Sequence, residues 1–289
     1  MKIPRTLGQK LAATAGLLAA LGLSADAQSL LHRYDFNSTS DTVGTANGTL
    51  VGTATLSGGA LVTDGQNGNV NGTWSGTGPR MTVDGSAVSG LSGAFTIETW
   101  FTCTTGWPKF DTIYSFSDAT TANYLLSTPV RGGAPWQSSV AMKGAGGTAT
   151  GSWDYFANGI YLDNNSLHQQ LVTYDGTTLT YYIDGVIANY SSLPATVVNP
   201  GFNLSTLTSI GINGGSPYGD PSLTGSTTDF RIYSGALSAD QVAGVYSLGS
   251  DASNVSIISA ITPVPEPSTL ALGALGGLAL LVMRQRARR

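Results

Sequence analysis

The stretch 168–188, HQQLVTYDGTTLTYYIDGVIA, constrains the fold more than any other part of the chain. It holds two Asp-Gly pairs, Asp175-Gly176 and Asp184-Gly185, each set between runs rich in β-branched and aromatic residues. A two-residue Asp-Gly loop suits a type I′ hairpin turn, because both central residues must take positive φ and these two tolerate it. Between the pairs, Leu179, Tyr181 and Ile183 alternate with Thr178, Thr180 and Tyr182. Period two marks a half-buried strand. The spacing therefore predicts three consecutive antiparallel strands joined by two tight turns.

Composition extends this reading to the whole chain. Only 10% of the 289 residues are charged and 38 are Gly, a balance that favours strands and turns over helices. With both ends set aside as processing segments, residues 28–263 suit one large β-sandwich rather than two domains. That span carries six basic residues against fifteen acidic ones, a net charge near −9. An acidic domain without a basic stripe is a poor nucleic-acid binder, since phosphate neutralisation supplies most of that affinity. Cys103 is the single cysteine, which excludes an internal disulfide and any multi-cysteine metal site. Its place in FTIETWFTC reads as a small buried apolar residue.

At the N-terminus, Lys2, Arg5 and Lys10 precede an apolar run at 11–23 and a small-x-small site at Ala25-Asp26-Ala27. Together these predict a secretory signal peptide over 1–27, a helix cleaved before Gln28. Strands are then expected at 30–37, 94–103, 111–117, 124–127, 138–142, 209–213 and 228–233, besides the hairpin triplet. In 94–103, Phe95, Ile97, Thr99 and Phe101 face one way, and Thr96, Glu98, Trp100 and Thr102 the other. The one helical signal in this domain is 235–246, GALSADQVAGVY. Ser238 and Gln241 have capping-box spacing, and Val242, Val245 and Tyr246 share a face that would dock on the sandwich.

This succession resembles the laminin G-like, concanavalin A-like jelly-roll family of exported bacterial proteins. The resemblance is carried by FTIETWF (95–101), TIYSFSD (112–118), HQQLVTYDGTTLTYYIDGV (168–186) and DFRIYSGALSADQV (229–242). The family usually has a Trp before the hairpin-strand His; here Leu167 precedes His168, a departure that touches core packing. The fold implied is all-β, two curved antiparallel sheets face to face over 28–249, with one short helix after the last long strand. The segment 250–263 would be a linker.

The C-terminal residues 264–289, VPEPSTLALGALGGLALLVMRQRARR, resemble a PEP-CTERM sorting tail. Pro265, Glu266 and Pro267 give the signature, an apolar run follows, and Arg284, Arg286, Arg288 and Arg289 close it. As a helix, 269–283 would measure about 22 Å, short of a bilayer core of about 30 Å. The arginines are expected on the cytoplasmic side. The resemblance implies an exosortase-type partner, an intermediate tethered in the inner membrane, and transfer to the cell surface or extracellular matrix of a Gram-negative bacterium.

The chemistry-bearing residues are sparse. A retaining glycosidase needs two carboxylates about 5 Å apart. Glu98 is the only Glu between 28 and 263, and its strand offers no second acid, so no catalytic residue is expected. His32 and His168 lie in expected strands with no ligand neighbour at metal spacing. Relatives on this fold often hold a structural calcium ion, which takes six to eight oxygens. The resemblance points to Asp35, Asp64 and Asp229 as its ligands. For recognition, the loop aromatics Trp107, Trp136, Trp153 and Tyr155 are the candidates, with Tyr218 a weaker one, because an indole face can stack on a pyranose. Two function classes follow: a non-catalytic module that binds surface polysaccharide, and a structural surface or biofilm-matrix protein without a specific ligand. A polysaccharide-active enzyme is a distant third.

Overall fold

The computed structural model describes residues 28–65, 78–91, 93–104, 110–130, 138–144, 160–188, 202–262 and 284, and the backbone of 154–156. The expected signal segment with Ala25 and Ala27 lies outside the described residues, as do Pro265, Glu266, Pro267 and Arg286 and the apolar segment 269–283. Arg284 is exposed. Among the described residues no helix is long and apolar enough to cross a membrane.

Among the described residues fifteen strands form two antiparallel sheets. They are β1 (Ser29–Tyr34), β2 (Thr49–Val51), β3 (Thr55–Ser57), β4 (Ala60–Asp64), β5 (Arg80–Asp84), β6 (Phe95–Cys103), β7 (Tyr114–Ser117) and β8 (Tyr124–Thr128). Then come β9 (Ser139–Lys143), β10 (Asp154–Phe156), β11 (Leu167–Tyr174), β12 (Leu179–Ile183), β13 (Val186–Ile187), β14 (Ser209–Ile212) and β15 (Thr224–Ser234). One sheet runs β13-β12-β11-β6-β15-β4-β3, with β1 also paired to β15; the other runs β10-β9-β8-β7-β14-β5-β2. Neighbours in sheet order are mostly distant in sequence, as a jelly roll requires. The core between the sheets takes Phe95, Ile97 and Phe101 from β6, Tyr114 and Phe116 from β7, Leu125 from β8, and Phe230 and Ile232 from β15.

The three-strand reading of 168–188 holds: β11 pairs β12 and β12 pairs β13. The second turn is the expected two-residue loop, with Asp184 at φ 50° and Gly185 at φ 76° between the paired Ile183 and Val186. The first turn differs. Tyr174 pairs Leu179, so four residues form the loop, and only Gly176 takes positive φ. The Asp175 carboxylate accepts from Thr177 N (2.8 Å) and Thr178 N (2.6 Å), an Asx turn that holds Asp175 out of the left-handed region.

Among the described residues two helices, α1 (Ala239–Leu248) and α2 (Asn254–Ile261), follow the last strand within the compact unit. The capping box at Ser238 and Gln241 is formed in both directions. The segment expected to be a linker instead contributes α2 to the compact unit, which runs from Gln28 to Ile261. Ile257 and Ile261, one turn apart, bury beside Val242 and Val245 of α1 and Leu171, Tyr182 and Tyr233 of the sheet. Each such side chain contributes about 1.5–3 kcal/mol on burial. The helices thus roof the face of β6 and β12 that alternation alone left to solvent: Glu98, Trp100 and Tyr182 are buried.

Candidate functional site

Glu98 is the residue with which any hydrolytic reading must begin, and it is fully buried. Its Oε1 accepts from Trp100 Nε1 (2.8 Å), Gln169 Nε2 (2.8 Å) and Arg231 Nη1 (2.9 Å), and its Oε2 from the Tyr233 hydroxyl (2.5 Å). Arg231 also donates to Asp229 Oδ2, and Arg33 reaches both oxygens of Asp229 at 3.1 and 2.9 Å. Burial works against the charged form of Arg231, but Glu98 and Asp229 outweigh it and raise its pKa. The guanidiniums donate onward to Gly249 O, Ser250 O and Asn254 Oδ1, at the corner between the two helices. Two acids and two bases therefore balance beneath the helical roof. Every carboxylate oxygen of Glu98 and Asp229 accepts at least one hydrogen bond from within the cluster.

The histidines are likewise occupied. His32 Nδ1 lies 2.6 Å from Asp41 Oδ2 and Nε2 lies 3.0 Å from Ala87 O. His168 Nδ1 lies 2.9 Å from Asp184 Oδ2 and Nε2 lies 3.1 Å from Asn164 Oδ1. Both pairs fasten a strand to a neighbouring loop.

The structure does not bring Asp35, Asp64 and Asp229 together as a calcium site. Asp229 is committed to two guanidiniums, whose charges repel a cation. Asp64 stands opposite Thr224, five residues along β15 from Asp229, or roughly 16 Å at strand spacing. It accepts from Thr53 Oγ1, and Asp35 accepts from Asn37 N in a turn. Among the described residues no three His, Cys, Asp or Glu side chains group to hold a metal. Cys103 is a free, buried thiol, as its strand position implied.

Of the recognition candidates, Trp107, Trp136, Trp153 and the Tyr155 side chain lie outside the described residues. The feature that alternation did not disclose is a tyrosine pair on the outer face of the second sheet. Leu125 points into the core, so Tyr124 and Leu126 point outward, where they cluster with Ala141 of β9. Tyr218, 48% exposed, donates its hydroxyl to Tyr124 Oη at 2.9 Å, with the rings edge to face at 5.4 Å. The segment 213–222 that carries Tyr218 is stiffened by Pro217 and Pro221 and turns at Gly215 and Gly219, both left-handed. Ser216 Oγ donates to Asp220 Oδ2 at 2.6 Å across the same loop. Burial raises the Asp220 pKa, and the Ser216 hydroxyl opposes that rise. The Pro-Tyr-Gly order was the available signal: it presents an aromatic ring from a rigid turn. A separate hollow of about 130 Å³, lined by Leu91, Phe202 and Asn203 among others, is well below the ~300 Å³ of a typical small-molecule pocket.

A family model described as the concanavalin A-like lectin/glucanases superfamily, Laminin_G_3, matches residues 75–243. The chain belongs to this Laminin_G_3 family. A second model, the PEP-CTERM protein-sorting motif, matches residues 263–289. This motif marks an exported protein that is membrane-anchored before processing and is recognised by exosortase-type sorting machinery. A search of curated proteins finds no match. Among solved structures, the Laminin_G_3 chain is similar to domain 4 of AbnA, an extracellular arabinanase from Geobacillus stearothermophilus, solved in complex with arabinotriose. The identity is 18%, 75% of this chain and 98% of that chain are covered, and the TM-score is 0.55. It is also similar to the binding domains of botulinum neurotoxin serotypes D and G. Both are 13% identical over 76% of this chain, with TM-scores of 0.53 and 0.52. The chain spans about half of each toxin binding domain, 51% in both cases. These likenesses establish the two-sheet fold.

Proposed function

We propose that this exported Laminin_G_3 domain is a non-catalytic module that binds polysaccharide at the cell surface or in the extracellular matrix of a Gram-negative bacterium. The observation that carries the reading is the Tyr218–Tyr124 pair. Tyr218 offers an exposed ring whose orientation is fixed by a partner hydroxyl and by a Pro/Gly-braced loop. A ring held in place loses little freedom when a sugar stacks on it. Trp107, Trp136, Trp153 and Tyr155 are the further recognition candidates that the sequence supplies. The similarity to an arabinanase domain solved with arabinotriose supports a glycan as the ligand class, as analogy of fold. The full engagement of Glu98 and Asp229 supports the non-catalytic part.

The test is retention of the purified full chain on the producing cell's own exopolysaccharide and on arabinan. Tyr218→Ala should lower affinity about tenfold, the equivalent of ~1.4 kcal/mol of stacking, with an unchanged melting temperature. Undiminished binding by Tyr218→Ala would overturn the tyrosine platform. No binding by the parent chain at millimolar polysaccharide would instead favour a structural coat or matrix protein, the reading that the Gly/Ser/Thr/Asn-rich composition otherwise suits.

A further inference from the structure

The helix α2 presents a surface that the reading above leaves unused. The segment 252–265, ASNVSIISAITPVP, contains no charged residue. Ile257 and Ile261 fill the seam against α1 and the sheet, but Val255 is 78% exposed and Ile258 45% exposed. At about 3.6 residues per turn, Val255, Ile258 and the exposed Ser259 share an arc of roughly 100°, turned away from the buried isoleucines. The helix is held in that orientation. Asn254 accepts from Arg33 Nη1 at 2.8 Å and donates to Thr42 O at 3.1 Å, and Ile261 O accepts from Gln241 Nε2. A helix that faces only water carries charged and polar side chains on its outer arc. A lone exposed apolar residue means little, but two set one turn apart on a charge-free helix read as an interaction surface.

The chain itself brings a partner to this surface. The PEP-CTERM motif begins at 263, and seven residues, 262–268, join α2 to the apolar run at 269–283. Even fully extended, that connection reaches no more than about 30 Å. While the protein is membrane-anchored before processing, α2 is therefore within reach of the lipid. We propose that the Val255–Ile258 face of α2 seats on the bilayer at this stage, with both side chains at the boundary between headgroups and acyl chains. The tether supplies an effective concentration of millimolar order, so two apolar side chains of modest intrinsic affinity suffice. No basic residue lies between 252 and 265, so the attraction is apolar and owes nothing to anionic lipid. Seating also orients the domain. The α2 helix lies on the outer face of the first sheet, whereas Tyr124 and Tyr218 stand on the outer face of the second, so the tyrosine pair is turned away from the bilayer.

The full chain, reconstituted through its C-terminal segment into phosphatidylcholine vesicles, tests this. Cys103 is buried, so a maleimide dye labels one introduced cysteine: Ser259→Cys beside the face, or Thr121→Cys on the turn between β7 and β8 of the other sheet. Phosphatidylcholine with a nitroxide on its acyl chain should quench the dye at 259 about threefold more than the dye at 121, since an interfacial helix sits about 5–10 Å into the boundary. Val255→Glu with Ile258→Glu should abolish that difference. Both side chains are exposed, so the melting temperature should stay within about 2 °C of the parent. Equal quenching at the two positions, or quenching at 259 that survives the double substitution, overturns the proposal. Quenching that appears only after phosphatidylglycerol is added overturns it too, because the attraction would then be electrostatic. A dye at 259 that shifts as protein density in the vesicle rises, without quenching by lipid, assigns the face to a second copy of the chain instead.

Discussion

Replacing Arg231 with Met removes the centre of the buried ionic cluster and exposes what it does. Arg231 is the cation that Glu98 contacts, at 2.9 Å, and it shares Asp229 with Arg33. After Arg231→Met, Asp229 keeps Arg33, while Glu98 keeps only the neutral donors Trp100, Gln169 and Tyr233. An uncompensated buried charge of this kind costs about 3–5 kcal/mol. For a domain of this size, each kcal/mol lowers the melting temperature by about 2–4 °C, so the drop should be roughly 6–20 °C. The same substitution strips a donor from Gly249 O, at the corner where α1 turns into α2. Amides of α2 should therefore exchange hydrogen faster than those of β6. Urea unfolding followed by circular dichroism gives the energy, and hydrogen exchange gives its location. The double variant Glu98→Leu with Arg231→Met, which removes both charges and leaves Asp229 with Arg33, should recover much of the loss. If Arg231→Met lies within about 1 kcal/mol of the parent, or if the double variant is worse than the single, the charge-balance account is wrong.

Two further perturbations probe the strand-to-loop fastenings. Burial pushes the Asp41 pKa up, but hydrogen bonds from His32 and from the N–H groups of Gly44, Arg33 and Val43 outweigh it, so the carboxyl lies below its usual range. A lowered pKa contributes stability that is present above about pH 4 and is lost as pH falls through the folded value. Asp41→Asn should therefore be destabilised at neutral pH, with the gap to the parent closing in acid; a gap unchanged down to about pH 2 refutes this. Gly185→Val would place a β-branched residue at φ 76°, with its Cβ 2.7 Å from Tyr246 Cδ1. It should cost about 1–3 kcal/mol and shift Trp100 fluorescence, because Tyr246 stacks on Trp100 at 5.7 Å. Unchanged fluorescence would show that the turn and the ring stack are independent.

Much of the fold was legible because it rests on local alternation. Phe95, Ile97 and Phe101 point inward as their period-two spacing required, and Asp184-Gly185 makes the turn its residue types favour. The failures have physical causes. At Asp175 a side chain captured two amides, lengthening the loop beyond what the dipeptide signalled. The helix α2 lacks acidic residues in its first turn and basic residues in its last, and its buried Ile257 and Ile261 share a short stretch with exposed Val255 and Ile258. Such a segment is helical because the sheet and α1 offer it a surface, not through its own propensity. The site was less legible than the fold. Of the aromatics singled out, Tyr218 gained a definite geometry only through Tyr124, 94 residues away.

The sequence by itself determined the long strands, the Asp184-Gly185 turn, the capped helix and the sorting signature, since each depends on residues a few positions apart. Tertiary structure alone decided which charges neutralise one another. Arg33, Glu98, Asp229 and Arg231 come from three strands and balance beneath a helical roof. A carboxylate in a loop and one in a buried cluster look alike in a sequence, because desolvation and pairing are set by what packs against them.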